Sequence, residues 1–268
     1  MKRQKINPAI KLLVSVIIVF AIFSSVAAVL WHNFKRLDYF KIKEIAASEN
    51  NAVDLSYLKG ENIFSVNLEK QARYLSQLYP VYKKIRLVRI LPDRIYVDFI
   101  KRKPLAYVKL YKYFLADEES VLFDVPDQEQ AADLPVILGL ETKIFGPRSG
   151  KKFNVKELTL ALTMIKEMQN NRILRFCKIK KIDVAHPANT SVFIELPMKN
   201  HGFLGQQALA LEPIEVKIGQ RDVQDKIDIL ANLFIQLKKD WFNIKYIDLR
   251  FNEPVVKFKD DKDAKTKK

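Results

Sequence analysis

Residues 12–31 constrain this chain more than any other stretch: twenty consecutive positions carry no charge, and thirteen of them are Leu, Ile, Val or Phe. Wound into an α-helix at about 1.5 Å per residue, the run is about 30 Å long, the thickness of a bilayer's hydrocarbon core. Near the bilayer centre those thirteen side chains favour insertion by roughly 4–8 kcal/mol. Lys2, Arg3, Lys5 and Lys11 precede the run, while Lys35 and Arg36 follow it, partly offset by Asp38. This asymmetry places a cytoplasmic tail at 1–11, a transmembrane anchor at 12–31, and everything after about residue 32 outside the cytoplasm. The competing reading is a cleaved leader with Ser25-Val26-Ala27 as its cleavage site. The apolar stretch exceeds the roughly 7–15 residues of such a leader, so an uncleaved anchor is the expectation.

The remaining sequence reads as two α+β units. Between 39 and 103 the pattern is βααββ. Phe40, Ile42 and Ile45 lie in an extended segment. Asp54 opens a short helix through Leu58 that Gly60 closes. Leu68, Ala72, Leu75 and Tyr79 form one face of a second helix ending at Pro80. Ile85 and Leu87, then Ile95, Val97 and Phe99, alternate as two strands joined at Leu91-Pro92-Asp93. Two helices over a three-stranded sheet is the economical packing.

From 104 to 258 the chain turns strand-rich, with candidate strands at 105–110, 113–116, 121–123, 179–184, 192–196, 215–218, 244–249 and 255–258. Two helices interrupt them. Asn154 with Glu157 has the spacing of a capping box before an apolar face of Leu158, Leu162, Ile165 and Met168. Asp222 caps a second helix, whose face is Ile227, Leu230, Phe234 and Leu237. Residues 259–268 form a charged, flexible tail with five lysines and three aspartates.

The net charge of +15 suits anionic neighbours such as lipid headgroups, cell-wall polymers or an acidic partner. No stretch interleaves basic and aromatic residues in a nucleic-acid-binding pattern. Catalytic chemistry is not expected either. His32, His186 and His201 lack metal-ligand spacing, and Gly146 to Gly150 reads as a turn rather than a phosphate loop. Asp117, Glu118 and Glu119 read as a solvated acidic turn. Cys177, the sole cysteine, stands among Leu174, Phe176 and Ile179 as a core residue, so no disulfide holds the chain. No metal or cofactor is implied.

An ordered set of segments carries a family likeness: Tyr39-Phe40-Lys41-Ile42-Lys43-Glu44-Ile45, then Leu58-Lys59-Gly60-Glu61-Asn62-Ile63-Phe64-Ser65-Val66, Leu91-Pro92-Asp93-Arg94-Ile95-Tyr96-Val97 and Lys101-Arg102-Lys103-Pro104-Leu105-Ala106. Phe114-Leu115-Ala116-Asp117, Leu134-Pro135-Val136-Ile137-Leu138-Gly139 and Ile247-Asp248-Leu249-Arg250-Phe251 complete it. With the basic stub and anchor, the chain resembles the bacterial cell-division family FtsQ/DivIB. It departs from that pattern at Ser48 and Glu49, where the family has a glycine, at Leu91, often Trp, and at Lys101, often acidic.

The resemblance implies a POTRA domain over 39–103 and a β domain over 104–258. It also implies a non-enzymatic scaffold of the division complex that binds FtsB/DivIC- and FtsL-like bitopic partners and helps recruit and regulate septal peptidoglycan synthesis. Its expected place is the cytoplasmic membrane at the division septum. The family uses its last strand and the helix before it, which points to Arg250, Phe251, Val255, Val256 and Phe258 as partner-binding residues; an ordinary edge strand is the plainer reading of the same residues. The alternatives are an exported cell-wall enzyme or another POTRA-bearing envelope protein. A POTRA-bearing translocation component would need a C-terminal barrel, for which too little chain remains.

The anchor reading yields a topology prediction. Alkaline phosphatase fused after residue 258 should be active and β-galactosidase fused there inactive; activity of the second alone would reverse the orientation.

Overall fold

The computed structural model describes residues 8–35, 37–48, 53–125, 133–195, 212–237 and 240–259. The stub 1–7, the tail 260–268, Glu49, the strand end at Leu196 and His201 lie outside the described residues. The chain divides into two units, Met1–Lys101 and Arg102–Lys268.

The first unit begins with α1, Pro8–Lys35. Its segment Leu12–Phe34 has a mean hydropathy of 2.8, and none of that apolar window is buried within the protein. A helix apolar on every side, with none of its span buried by the rest of the chain, has lipid as its fitting solvent. One residue separates α1 from Leu37 and the 3-10 turn Asp38–Phe40.

The sheet that follows comprises β1 (Glu44–Ala47), β2 (Tyr82–Ile90) and β3 (Arg94–Lys101), in the order β1-β3-β2, with α2 (Leu68–Leu78) between β1 and β2. β1 runs parallel to β3 and β2 antiparallel to it. In β3 the alternation of Ile95, Val97 and Phe99 sends all three into the core beside Phe40, Ile42, Ile63 and Leu75. Asn67 Oδ1 accepts from the Lys70 amide at 2.9 Å and so caps α2.

The first expected helix is only a 3-10 turn, Ser56–Leu58. Asp54 Oδ1 accepts from the Ser56 amide at 2.9 Å, an Asx turn rather than a helix cap, and Gly60 at φ +87° turns the chain away after three residues.

The second unit is built on one ten-stranded sheet. Its strands are β4 (Pro104–Lys109), β5 (Tyr113–Asp117), β6 (Val121–Asp124), β7 (Val136–Leu138), β8 (Lys151–Lys152), β9 (Lys178–Asp183), β10 (Ser191–Glu195), β11 (Ile214–Lys217), β12 (Ile244–Asp248) and β13 (Val255–Phe258). They lie in the order β13-β12-β11-β10-β9-β7-β4-β5-β6-β8.

Two parallel neighbours, β7 with β9 and β11 with β12, are joined through α3 (Lys156–Asn170) and α4 (Val223–Gln236). Both crossovers step the same way across the sheet from strands of the same sense. Right-handed connections therefore set both helices on one face, and Asn171 at the end of α3 donates to Asp228 of α4 at 3.2 Å. Beneath the helices one apolar row crosses eight strands in register: Phe114, Val108, Ile137, Ile182, Val192, Val216, Ile247 and Val256. Leu158, Leu162, Ile165 and Met168 of α3 and Ile227 and Leu230 of α4 are buried in the same core, with Phe234 and Leu237 packed against its margin.

Several local expectations need correction. α3 starts after Val155, and Asn154 makes no cap; Glu157 meets Lys143 Nζ at 3.3 Å instead. Asp222 does stand at the start of α4, but at φ 53° its side chain makes no capping bond. Asp117 is not solvated: only 3% exposed, it takes Arg102 Nη1 at 2.6 Å and the amides of Glu119 and Val121 at 2.9 Å each. Its carboxylate closes the β5–β6 turn, where Ser120 adopts φ 63°. β7 and β8 were not expected as strands, being three and two residues long.

β7 ends at Gly139, whose φ of +86° favours glycine, and a Cβ there would lie 2.3 Å from the Ala185 amide nitrogen. Gly60 has open space around it. Gly139→Ala should therefore cost about 2–5 kcal/mol, from left-handed strain plus backbone displacement. Gly60→Ala should cost only about 1 kcal/mol. Calorimetry checks this: equal shifts for the two variants would contradict it.

Candidate functional site: the terminal strand

The apolar row stops at β13 because no strand of the described residues lies beyond it. Residues facing each other across a ladder share a face. Val256 opposite Ile247 and Phe258 opposite Ile244 thus point to the helix-covered side, while Val255 opposite Asp248 and Lys257 opposite Tyr246 point to the other. Val256 packs against the core yet is half-buried, with no strand of the described residues on its outward flank. Phe258 is 41% exposed and Val255 47%. The antiparallel pairing slips by one residue between Ile244 and Tyr246, a bulge of the kind that ends or re-aims a ladder. Pro254, just before the strand, has no amide hydrogen to lose from the ladder.

The approach to β13 is held by a charged clasp. Asp248, at the end of β12, is buried. Its Oδ1 accepts from the Arg250 amide at 3.1 Å and from Arg250 Nε at 2.9 Å, and its Oδ2 from Arg250 Nη2 at 2.5 Å. Nη1 donates to Asn189 Oδ1 at 2.5 Å. The guanidinium fork holds the Asp248 carboxyl below the usual carboxylate range, and the same bond raises Arg250. Phe251 stands 62% exposed, its ring centroid 5.6 Å from the Arg250 guanidinium carbon. Behind β12, Trp241 Nε1 donates to the Phe234 carbonyl at 3.0 Å, pinning the end of α4 to the chain entering β12.

Of the five residues expected to meet a partner, Val255, Val256 and Phe258 lie on one strand, and Arg250 and Phe251 on the turn that leads to it. Phe251, Val255 and Phe258 are exposed, whereas Arg250 spends its fork within the protein. Sequence reasoning assigned no role to Asp248 or Asn189. An Asp two residues before an Arg was a readable signal for the first. Asn189, sixty-one positions upstream, gave none.

Cys177 is buried, and burial pushes its thiol up to about 12, so it carries almost no thiolate at neutral pH. Among the described residues no three of His, Cys, Asp and Glu gather as a metal-binding group.

One apolar span and an α+β body whose sheet ends at β13, both among the described residues, define a membrane-anchored protein whose candidate site is a surface. No protein-family profile matches the chain. It is similar to the cell division protein FtsQ of Geotalea daltonii, 21% identical over 240 residues that cover 88% of this chain and 79% of that one. The FtsQ of Syntrophotalea carbinolica is 20% identical over 226 residues, 82% of this chain and 74% of the relative. That of Koribacter versatilis is 24% identical over 198 residues, 73% and 51% respectively. Over most of its length the chain is thus similar to bacterial proteins named cell division protein FtsQ.

The clasp sets a stability prediction. A carboxyl whose folded pKa is depressed contributes stability that is present above its unfolded value and lost as pH falls through the folded one. Arg250→Ala should cost about 1.5–3 kcal/mol at neutral pH, with the deficit shrinking as pH drops below about 4. Urea unfolding across pH measures this; a deficit independent of pH would refute the charged clasp.

Proposed function

We propose that this protein is a bitopic scaffold of the division complex, with its N-terminus in the cytoplasm and its body outside, gathered at the septum. Residues 39–103 serve as a POTRA domain and 104–258 as a β domain. The scaffold links FtsB/DivIC- and FtsL-like partners and through them helps recruit and regulate septal peptidoglycan synthesis. The observation that carries this reading is the open edge at β13, where an apolar row running through the core ends on a half-buried Val256 beside exposed Val255 and Phe258.

An extended partner segment adds to such an edge as a further strand, taking affinity from main-chain bonds and specificity from side-chain pockets. Val256 and Phe258 would be covered on the helix side and Val255 on the other, with Phe251 as an aromatic anchor at the turn. Arg250, held by its clasp on Asp248, would meet the partner as a charged contact beside Phe251 while fixing the aim of β13. The anchor confines every copy to one membrane plane, so modest contacts add up through effective concentration.

Pull-down of FtsB/DivIC-like partners with wild type, Phe251→Ala and Phe258→Lys tests the site. Replacing a well-packed aromatic anchor costs about 2 kcal/mol or more, roughly thirtyfold in affinity. Recovery should fall at least tenfold with melting temperature unchanged. Undiminished recovery with both variants would exclude β13 as the partner edge.

A further inference from the structure

The first unit is joined to its anchor by packed rings. Phe34, at the end of the apolar span, meets Phe40 edge-on with centroids 5.1 Å apart, and Phe40 meets Phe64 the same way at 5.1 Å. Phe40 is a buried member of the unit's core, and its carbonyl accepts from the Ile63 amide at 2.9 Å. Upstream, Trp31 stacks on Phe34 at 6.1 Å. Two backbone bonds tie this junction together: the Leu37 amide donates to the Phe34 carbonyl at 3.3 Å and the Phe40 amide to the Leu37 carbonyl at 3.0 Å.

Two large apolar side chains at this junction are left uncovered by protein: Leu37 is 50% exposed and Tyr39 63%. If Phe34 marks the edge of the hydrocarbon, the bond from the Leu37 amide to the Phe34 carbonyl keeps Leu37 only about 5 Å further out. The interfacial layer on each side of a bilayer is of that same depth, roughly 5–7 Å. Tyrosine and tryptophan are the side chains that suit such a layer. The one carboxylate in the turn, Asp38, is met by Lys41 Nζ at 2.9 Å, which offsets its charge towards lipid phosphates.

We propose that Leu37 and Tyr39, continuous with Trp31 and Phe34, form a lipid-binding collar that seats the first unit against the headgroup layer of the bilayer. The unit is then held at the membrane surface by the ring chain from Phe34 through Phe40 to Phe64, with no tether on which to swing.

The test uses the full chain in nanodiscs of phosphatidylethanolamine and phosphatidylglycerol, with or without bromine on the upper acyl carbons. Trp31→Phe leaves Trp241 as a constant background, to which Trp31→Phe/Tyr39→Trp and Trp31→Phe/Leu37→Trp each add one reporter. Bromination should quench the signal added at positions 37 and 39 by half or more, comparably to Trp31 in the wild type. Quenching of Trp31 with none at 37 or 39 would overturn the collar and leave the anchor intact. If Trp31 too escaped quenching, the anchor reading would fall with it.

Discussion

A sheet that does not close on itself must end on a strand with one flank to spare, and among the described residues of the second unit β13 is such a strand. The apolar row from Phe114 to Ile247 is continuous because each strand supplies one side chain in register with the next, under the cover of α3 and α4. Val256 extends the row by one position, where the cover runs out. Burial of the preceding members fixes the register of β13, since a slip of one residue would turn Val256 and Phe258 outward and bring Lys257 into the core margin. The features that stabilise the sheet are thus the ones that hold its edge in a defined register.

Edge strands are hazards as well as sites, and soluble proteins blunt them with charge, proline, short length or bulges. β13 shows each of these: four residues long, preceded by Pro254, carrying Lys257, and paired through a bulge. On the proposed function, such an edge would resist indiscriminate pairing yet admit a segment complementary to Val255, Val256 and Phe258. The Asp248–Arg250 clasp gives the turn before it a fixed shape, so that less conformational entropy is lost when a partner binds.

Long periodic signals were legible in the sequence. The anchor, the faces of α2, α3 and α4, the alternation in β3 and the position of β13 all rest on patterns repeated over several turns or residues. What escaped was short or non-local. β7 is three apolar residues in mid-sheet, too short for an alternation to mark it. The Asp54 turn and the Asn154–Glu157 pair showed capping spacing, yet side-chain bonds to nearby amides serve turns as readily as helices. Asp117 read as a solvated acid because its partner, Arg102, lies fifteen residues away across a strand. At the candidate site the exposed residues were legible from strand position and family likeness. The clasp was only half legible, since Asn189 reaches Arg250 solely through the fold.

The account stands on a partner strand completing the sheet at β13. Hydrogen–deuterium exchange of the full chain, with and without an FtsB/DivIC-like partner, measures this at the backbone itself. The account predicts slowed exchange concentrated in residues 255–258, with the central strands β9 to β11 unchanged. Unaltered exchange across 255–258, with protection appearing on another element of either unit, would contradict it.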